Sequence, residues 1–307
     1  MMIMVFNIAI PFPYSIFNSY ITANEEYIFL NMIIDQINWN VDKFILGRFQ
    51  GTVSVAIYGL AAQLNTYYLS LSTAISNVFI PRVNQMVAIH NDNKELTNLF
   101  TRIGRIQFML LSLIGLGLIF FGKSFISMWA GSDYSEAYPI ALLLIIPVTI
   151  PLIQNVGIEI QKAKNMHQFR SWIYFFIALG NMLLSIPLTK YYGGVGAAIG
   201  TAISLLIGNG LIMNWYYHNR VGLNMKYFWS QILQLMLSLL PSTILGIMMF
   251  IWIDLNNIIL FLICGMIYVI IFCLSLWFLG MNTYEKDLIR KPMMKIYRKL
   301  KWCSAKN

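Results

Sequence analysis

Long apolar runs recur along the chain at the length of a membrane-spanning helix. A helix needs about 20 residues to cross roughly 30 Å of hydrocarbon, and short polar segments separate runs of about that length. The runs are continuously apolar, whereas the strands of a membrane β-barrel alternate polar and apolar residues. The pattern predicts an all-α polytopic membrane protein with about eight transmembrane helices, near residues 26–47, 52–80, 103–122, 137–156, 171–189, 194–217, 228–253 and 258–280.

Composition supports this prediction and excludes a water-soluble domain. Of the 307 residues, 58% are hydrophobic and 11% are charged, against about 25% charged in soluble domains. Neither the three cysteines nor the three histidines have the spacing of a metal site, and no phosphate-binding loop is present. We therefore expect no metal, no cofactor, no nucleic-acid partner and no enzymatic activity.

The positive charges divide unequally between the two ends of the predicted helices. Of the 21 Lys and Arg, Lys43, Arg48, Lys123 and Lys190 fall on one side and the other 17 on the opposite side. Because Lys and Arg concentrate in cytoplasmic loops, we predict a cytoplasmic carboxyl terminus. The predicted units are an interfacial apolar segment (1–25), a six-helix lobe (26–220), two accessory transmembrane helices (221–280) and a basic tail (281–307) that suits anionic lipid.

The first predicted span has a polar face that includes charge. Asn31, Asp35, Asn38 and Asp42 follow at i, i+4, i+7 and i+11, and Lys43 lies beside them. The second span repeats the pattern without charge, at Gln63, Thr66, Ser70, Thr73 and Asn77. The stripes indicate either a helix–helix seam or a water-filled cavity. We favour the cavity, because a charge near the bilayer centre costs about 2.5–3.5 kcal/mol.

Prolines, small residues and basic loops offer further candidates. The fourth predicted span contains three prolines before two amide residues: Pro139, Pro147 and Pro151, then Gln154 and Asn155. Prolines bend a membrane helix, and such a bend occurs both at binding sites and where no ligand binds. Gly196, Gly200 and Ser204 favour close helix packing. The basic loops are explained by the insertion rule alone or by capture of a phosphorylated ligand.

Four stretches carry a family resemblance: 38–47 (NWNVDKFILG), 52–64 (TVSVAIYGLAAQL) with the run to Pro81, 151–165 (PLIQNVGIEIQKAKN), and 193–209 with Asn214. Through them the sequence resembles bacterial polysaccharide-repeat or O-antigen flippases, of the multidrug/oligosaccharidyl-lipid/polysaccharide exporter superfamily. The resemblance covers residues 26 to about 220 well and the last two spans weakly.

The resemblance implies two six-helix lobes, often with two added helices, that rock about a central cavity. Such proteins move undecaprenyl-pyrophosphate-linked oligosaccharide across the bacterial inner membrane for surface polysaccharide, O-antigen and lipopolysaccharide synthesis. The predicted spans correspond to the second lobe plus the two added helices. We therefore expect a truncated or split transporter portion that needs a first lobe or a second chain.

Within this interpretation, two groups of residues are candidates for contact with the lipid-linked oligosaccharide. The cavity group comprises Asp35, Gln36, Asp42, Lys43, Gln63, Gln154, Asn155 and Glu159, and the basic group at the cytoplasmic mouth comprises Arg82, Arg102, Arg105 and Lys162. The alternatives are a cation-coupled multidrug exporter with an intramembrane Asp as its ion site, a membrane polymerase or acyltransferase, and a non-functional remnant.

Overall fold

The computed structural model describes residues 41–89, 92–288, 290–291 and 294, and no strand occurs among them. Helix α1 covers residues 41–49, and a stretch at 283–288 is also helical. The remaining helices are α2 (Gly51–Ile89), α3 (Asn93–Ala130), α4 (Ala137–Leu152), α5 (Asn155–Ala163), α6 (His167–Leu205), α7 (Asn214–Tyr216), α8 (Met225–Ser238), α9 (Leu240–Trp252) and α10 (Ile258–Ser275). A 3₁₀ turn covers Ser132–Tyr134, and π-helical stretches cover Leu206–Met213, Tyr217–Val221 and Leu276–Gly280.

Helices α2, α3 and α4 form the centre of the bundle. The hydroxyl of Tyr68 on α2 donates to the carbonyl of Leu111 on α3 at 3.2 Å and lies 2.8 Å from the hydroxyl of Thr149 on α4. Farther along α2, Ser72 donates to the carbonyl of Leu152 at 2.9 Å. Since both pairs advance in the same direction, α2 and α4 run parallel.

Helix α6 is a hairpin that reverses direction at Gly193, where the backbone has φ 57° and ψ −136°. The hydroxyl of Ser185 before the turn lies 3.3 Å from the carbonyl oxygen of Ala197 after it, and the hydroxyl of Tyr174 donates to Asn209 at 3.1 Å. The two arms are therefore antiparallel. They approach closely enough that a Cβ on Gly200 would lie 3.0 Å from the Cα of Ser185, as the small residues predict.

Several helices are long and apolar enough to cross a membrane. Segments 93–130, 168–221 and 258–280 meet that test singly, and two pairs bent by 40° and 47°, α4 with α5 and α8 with α9, meet it as broken spans. The second segment folds back at Gly193, so it supplies two antiparallel arms. The prediction of an all-α membrane fold is confirmed, and the count of eight spans stays a prediction.

The connecting segments lie at two ends of the bundle, where they contact one another. At one end Gln50 donates to the carbonyl of Thr189 at 3.1 Å, beside the hairpin turn. At the other end the ammonium of Lys164 donates to Asn93 at 2.6 Å and to the carbonyl of Val221 at 3.0 Å. Partial burial there lowers the pKa of Lys164 from its usual value.

A buried ion pair attaches the last described residues to the bundle. Arg105 on α3 is 3% exposed and binds both oxygens of Glu285, at 2.6 and 2.9 Å. Its other N–H groups donate to the carbonyl of Gly280 at 2.8 Å and to two oxygens of Gln231 on α8 at 3.1 and 3.3 Å. All five guanidinium donors are therefore used, and helices α8 to α10 are held against α3.

Arg105→Met should destabilise the protein by about 3–5 kcal/mol, because it leaves the Glu285 carboxylate buried without its cation. The double variant Arg105→Met with Glu285→Leu should lose less stability than Arg105→Met alone, since no unpaired buried charge then remains. Thermal unfolding of the detergent-solubilised variants measures both. Equal stabilities of wild type and the single variant would contradict this role.

Gly196→Ala should lower stability by about 1–3 kcal/mol, because the new methyl group collides with the backbone carbonyl of Leu188 across the hairpin. Gly59→Ala is the matched control, since a Cβ there has no neighbour within 4 Å. The control should gain up to about 1 kcal/mol from reduced unfolded-chain entropy. Thermal unfolding measures both variants. Equal melting temperatures for the two would contradict tight packing of the hairpin.

Candidate functional site

A polar cleft of about 260 Å³ lies where α1, α2, α4 and the second arm of α6 meet. Its volume is that of roughly nine water molecules, at about 30 Å³ each. The cleft is therefore large enough for water molecules or a small polar group. Its lining residues are Asp42, Lys43, Tyr58, Ala62, Asn65, Thr66, Leu69, Leu144 and Thr201.

Asp42 is the charged centre of the cleft and is 2% exposed. Its Oδ2 accepts two short hydrogen bonds of 2.6 Å, from the Tyr58 hydroxyl on α2 and from the Thr201 hydroxyl on the second hairpin arm. Its Oδ1 has no hydrogen-bond partner among the described residues. One carboxylate thus joins three elements, and its second oxygen stays unpaired within the described residues.

Asn65 adds a second unpaired oxygen to the same cleft. Its side chain is 3% exposed, and its Oδ1 lacks a partner within the described part of the chain. Asn65 lies on α2 outside the spacing of the predicted stripe, so the sequence analysis missed it. The available signal was its position two helical turns after Tyr58, at i+7, which puts both residues on the same face of α2. Two residues that line the cleft therefore have buried acceptor oxygens without partners in the described part of the chain.

The first hairpin arm supports this site from behind. Asn181 Oδ1 accepts from the Ser185 hydroxyl at 2.8 Å and lies 3.2 Å from the Thr201 hydroxyl. Thr201 has one hydroxyl proton. Asp42 is the better acceptor for it, because Asp42 Oδ2 lies only 2.6 Å from the Thr201 hydroxyl oxygen. These contacts fix the second arm, and with it Thr201, against Asp42.

The predicted polar stripe on α2 is exposed along its whole length. Gln63, Thr66, Ser70, Thr73 and Asn77 are all exposed, and three of their hydroxyl groups donate to carbonyls of their own helix. Thr66 belongs to both the stripe and the cleft, whereas Gln63 is outside the cleft.

The opposite face of α2 is polar but buried. Gln107 on α3 donates to Ser72 at 3.0 Å and to Ser76 at 2.7 Å. This face is a helix–helix seam, which is one of the two interpretations that the sequence allowed for the polar stripes. Helix α2 therefore has a polar seam on one side and a polar free surface on the other.

Asp35 and Gln36 lie outside the described residues. Gln154 and Asn155 are described, and both brace the break between α4 and α5. Gln154 donates to Asn214 at 3.1 Å, and Asn155 donates to Ser72 at 3.0 Å. These two amides are therefore engaged with other helices and do not line the cleft around Asp42.

Asn214 is the centre of the polar contacts at that break. Its Oδ1 accepts from Gln154 and, at 2.7 Å, from the indole of Trp229, while its Nδ2 donates to the carbonyls of Asn209 and Gly210 at 2.8 and 2.9 Å. The prolines in α4 thus accompany a bend that is held by side-chain hydrogen bonds.

The four predicted basic residues have different surroundings. Arg82 is exposed, and Arg102 is exposed with its guanidinium 5.0 Å from the Tyr284 ring centre. Lys162 is 58% exposed and pairs with Glu159 at 2.9 Å. Arg105 has no free donor for a ligand, because Glu285, Gln231 and Gly280 take all of them. No group of three or more His, Cys, Asp or Glu that could hold a metal occurs in the described part of the chain.

Comparisons with known proteins agree on the class of molecule. Residues 1–139 match a family described as polysaccharide biosynthesis protein. A probable flippase, AglR of Haloferax volcanii, is 27% identical over 55% of this chain and 36% of its own length. A probable low-salt glycan biosynthesis flippase of the same organism, Agl15, is 22% identical over 61% of this chain and 39% of its own. The chain thus spans well under half the length of these curated relatives.

A solved structure shares the fold. The lipid II flippase MurJ, in an inward closed conformation, superposes with a TM-score of 0.64 at 18% identity, over 87% of this chain and 53% of MurJ. The expected likeness to lipid-linked oligosaccharide flippases is confirmed by these matches together.

Single cysteines on α2 test whether the exposed stripe contacts water. After replacement of the native cysteines, Ser70→Cys and Thr73→Cys should react rapidly with a charged maleimide in reconstituted protein, because thiolate formation needs water. Ser72→Cys, buried on the seam, and Leu262→Cys, an apolar exposed position on α10, should react at least about tenfold more slowly. Slow labelling at all four positions would place the stripe in lipid or in a dry interface.

Proposed function

We propose that this chain, which is similar to a polysaccharide biosynthesis family and to probable flippases, forms part of a transporter that flips a polyprenyl-pyrophosphate-linked glycan across the membrane. A charged, hydroxylated head group cannot cross hydrocarbon unaided. The observation that carries the proposal is the exposed polar stripe on α2, continuous at Thr66 with the Asp42 cleft.

The two parts of the site have different tasks. The cleft, at about 260 Å³, is smaller than the 300–1,000 Å³ typical of ligand pockets, so an oligosaccharide does not fit inside it. The open stripe of amides and hydroxyls offers donors and acceptors to sugar hydroxyls along about four turns of α2. The glycan therefore passes along the stripe, and the cleft serves another purpose.

That purpose is coupling to a cation. Asp42 and Asn65 line the cleft, and each has an oxygen without a hydrogen-bond partner among the described residues. A buried carboxylate attracts a proton or a monovalent metal ion to offset its desolvation. Binding there stabilises the contact of α1 and α2 with the hairpin through Tyr58 and Thr201. Release weakens that contact and lets α1 and α2 move relative to the hairpin.

A multidrug exporter of the same superfamily would use a similar cation site. The glycan assignment is favoured by the names of the two relatives and by the stripe, whose hydroxyls and amides suit sugars better than apolar drugs. Transport of a fluorescent organic cation, measured beside transport of a labelled lipid-linked oligosaccharide, separates the two.

The stripe also needs a second wall. A row of amides and hydroxyls is costly against acyl chains, so we propose that a further lobe, in the same polypeptide or in a second chain, encloses the lumen. Arg82, Arg102 and Lys162 are exposed at the end that we assign to the cytoplasm, where they attract the pyrophosphate. The specific role in O-antigen or lipopolysaccharide synthesis and the inner-membrane location belong to this proposal.

Asp42→Asn should reduce flipping by about tenfold or more and abolish its dependence on a sodium or proton gradient, because the amide has no negative charge to attract a coupling cation and does not take up a proton. Folding should survive, since the new Oδ1 can still accept from Tyr58 and Thr201. The measurement is flipping of a fluorescent lipid-linked oligosaccharide in proteoliposomes that contain the complete transporter. Melting temperature is recorded for each variant.

Asp254→Asn is the matched control, because Asp254 is exposed and far from the cleft in the turn before α10. It should flip at the wild-type rate and keep the gradient dependence. Wild-type flipping by Asp42→Asn would remove the cleft from the mechanism, and loss of gradient dependence in both variants would show that the assay reports general damage.

A further inference from the structure

The cleft around Asp42 is lined by one acidic and one basic side chain. Asp42 and Lys43 are the two charged residues among its described lining residues, and the other seven are neutral. Lys43 is half-buried and lies on α1, the helix that also carries Asp42. The lining that the structure describes therefore has no net charge, because one carboxylate and one ammonium offset each other.

These two charges do not form an ion pair in this structure. Neither Asp42 nor Lys43 takes part in a salt bridge between described residues, although they are neighbours in the chain. Oδ2 of Asp42 accepts from the hydroxyls of Tyr58 and Thr201, and Oδ1 has no partner within the described residues. Neutral donors thus hold the carboxylate in a cleft that an ammonium also lines.

Lys43 differs in this respect from the other cations that are buried or half-buried in the described part of the chain. Each of those has a carboxylate, an amide oxygen or an aromatic ring as its partner, and the pairs are Arg105–Glu285, Lys164–Asn93, Arg170–Tyr174 and Lys286–Trp277. Lys43 has no such contact with a described residue. Its flexible four-carbon stem therefore gives the ammonium more than one position beside the cleft.

One carboxylate offsets one positive charge, so the ammonium and a free cation compete for Asp42. The cleft has a volume of about 260 Å³, and two positive charges in so small a space repel each other strongly where the dielectric constant is low. A cation bound at Asp42 therefore drives the ammonium away from the carboxylate. When that cation leaves, the buried carboxylate again needs a positive charge, and Lys43 supplies it from within the described lining.

We infer that Lys43 is a tethered counter-ion that exchanges with the coupling cation at Asp42. The inference rests on the proposed function, which puts a coupling cation in this cleft. Without the cation, the ammonium pairs with Asp42, so the substrate-free transporter returns without an uncompensated buried charge. With the cation bound, the ammonium moves toward Thr66, where the cleft meets the exposed stripe, and adds one positive charge for a substrate phosphate.

Removal of the competing ammonium is the first test. In Lys43→Met the cation concentration for half-maximal flipping should fall by about tenfold, because no paired state then withholds Asp42 from the free cation. Flipping is titrated with sodium and with protons in proteoliposomes of the complete transporter, and the cation that drives the wild type is compared. Lys43→Arg should stay within about threefold of the wild type, because a guanidinium also pairs with a carboxylate.

Lys190→Met is the matched control for this titration. Lys190 is exposed beside the hairpin turn, at the same end of the bundle, and it does not line the cleft. Its half-maximal concentration should equal that of the wild type. A decrease as large as that in Lys43→Met would assign the effect to surface charge and reject the exchange.

Thermal unfolding in detergent gives a readout that does not depend on transport. In choline chloride at alkaline pH, where sodium is absent and protons are scarce, Lys43→Met should lower the melting temperature. The same change in the Asp42→Asn background should lower it less, because the neutral amide needs no counter-ion. Equal decreases in both backgrounds would show that Lys43 does not pair with Asp42 and would contradict the inference.

The results also separate this inference from the proposed function. Loss of gradient dependence in Asp42→Asn, together with an unchanged half-maximal concentration in Lys43→Met, would retain the cation site and overturn the tethered counter-ion alone. Wild-type flipping by Asp42→Asn would remove both.

Discussion

A side chain inside a bilayer has hydrogen-bond partners only in the protein or in enclosed water, and this constraint organises the whole molecule. Asp42 satisfies it by drawing hydroxyl groups from two other elements, Tyr58 and Thr201, to one of its oxygens. Arg105 satisfies it with five acceptors from three segments. These two buried residues therefore also fix how their helices are arranged, because their partners come from different parts of the chain.

Helix α3 shows how this constraint works with apolar packing. One side of it meets α2 through Gln107 and the two serines, and another side meets the accessory helices through Arg105 and through aromatic contacts such as Phe100 with Phe228, whose ring centres are 4.7 Å apart. Polar contacts specify the register, while the rings fill the space between helices. The lobe and the accessory helices are thus joined by one continuous core.

Helix α2 has buried polar residues on one side and exposed polar residues on another. Ser72 and Ser76 turn inward and are saturated with hydrogen bonds, whereas Ser70 and Thr73, one or two residues away, turn outward and are exposed. The inward set is bound to its neighbours and holds the bent α4–α5 pair. Among the described residues, the outward set donates only to carbonyls of its own helix, which suits the proposed exchange of contacts with a moving substrate.

Hydropathy, charge distribution and spacing by themselves determined the class of fold, the residues of the α2 stripe, the close packing around Gly200 and the place of Asp42 in a polar site. Each of these depends on local periodicity or on the cost of a charge in hydrocarbon. Only the tertiary structure decided which polar residues meet. It enclosed Arg105 with Glu285, 180 positions away, engaged Gln154 and Asn155 in bracing a bend, and brought the unnoticed Asn65 beside Asp42. The sequence could not specify these pairings, because a helical stripe fixes which way a residue faces and leaves open what stands opposite it. Partners from distant segments are set by the packing of the entire bundle.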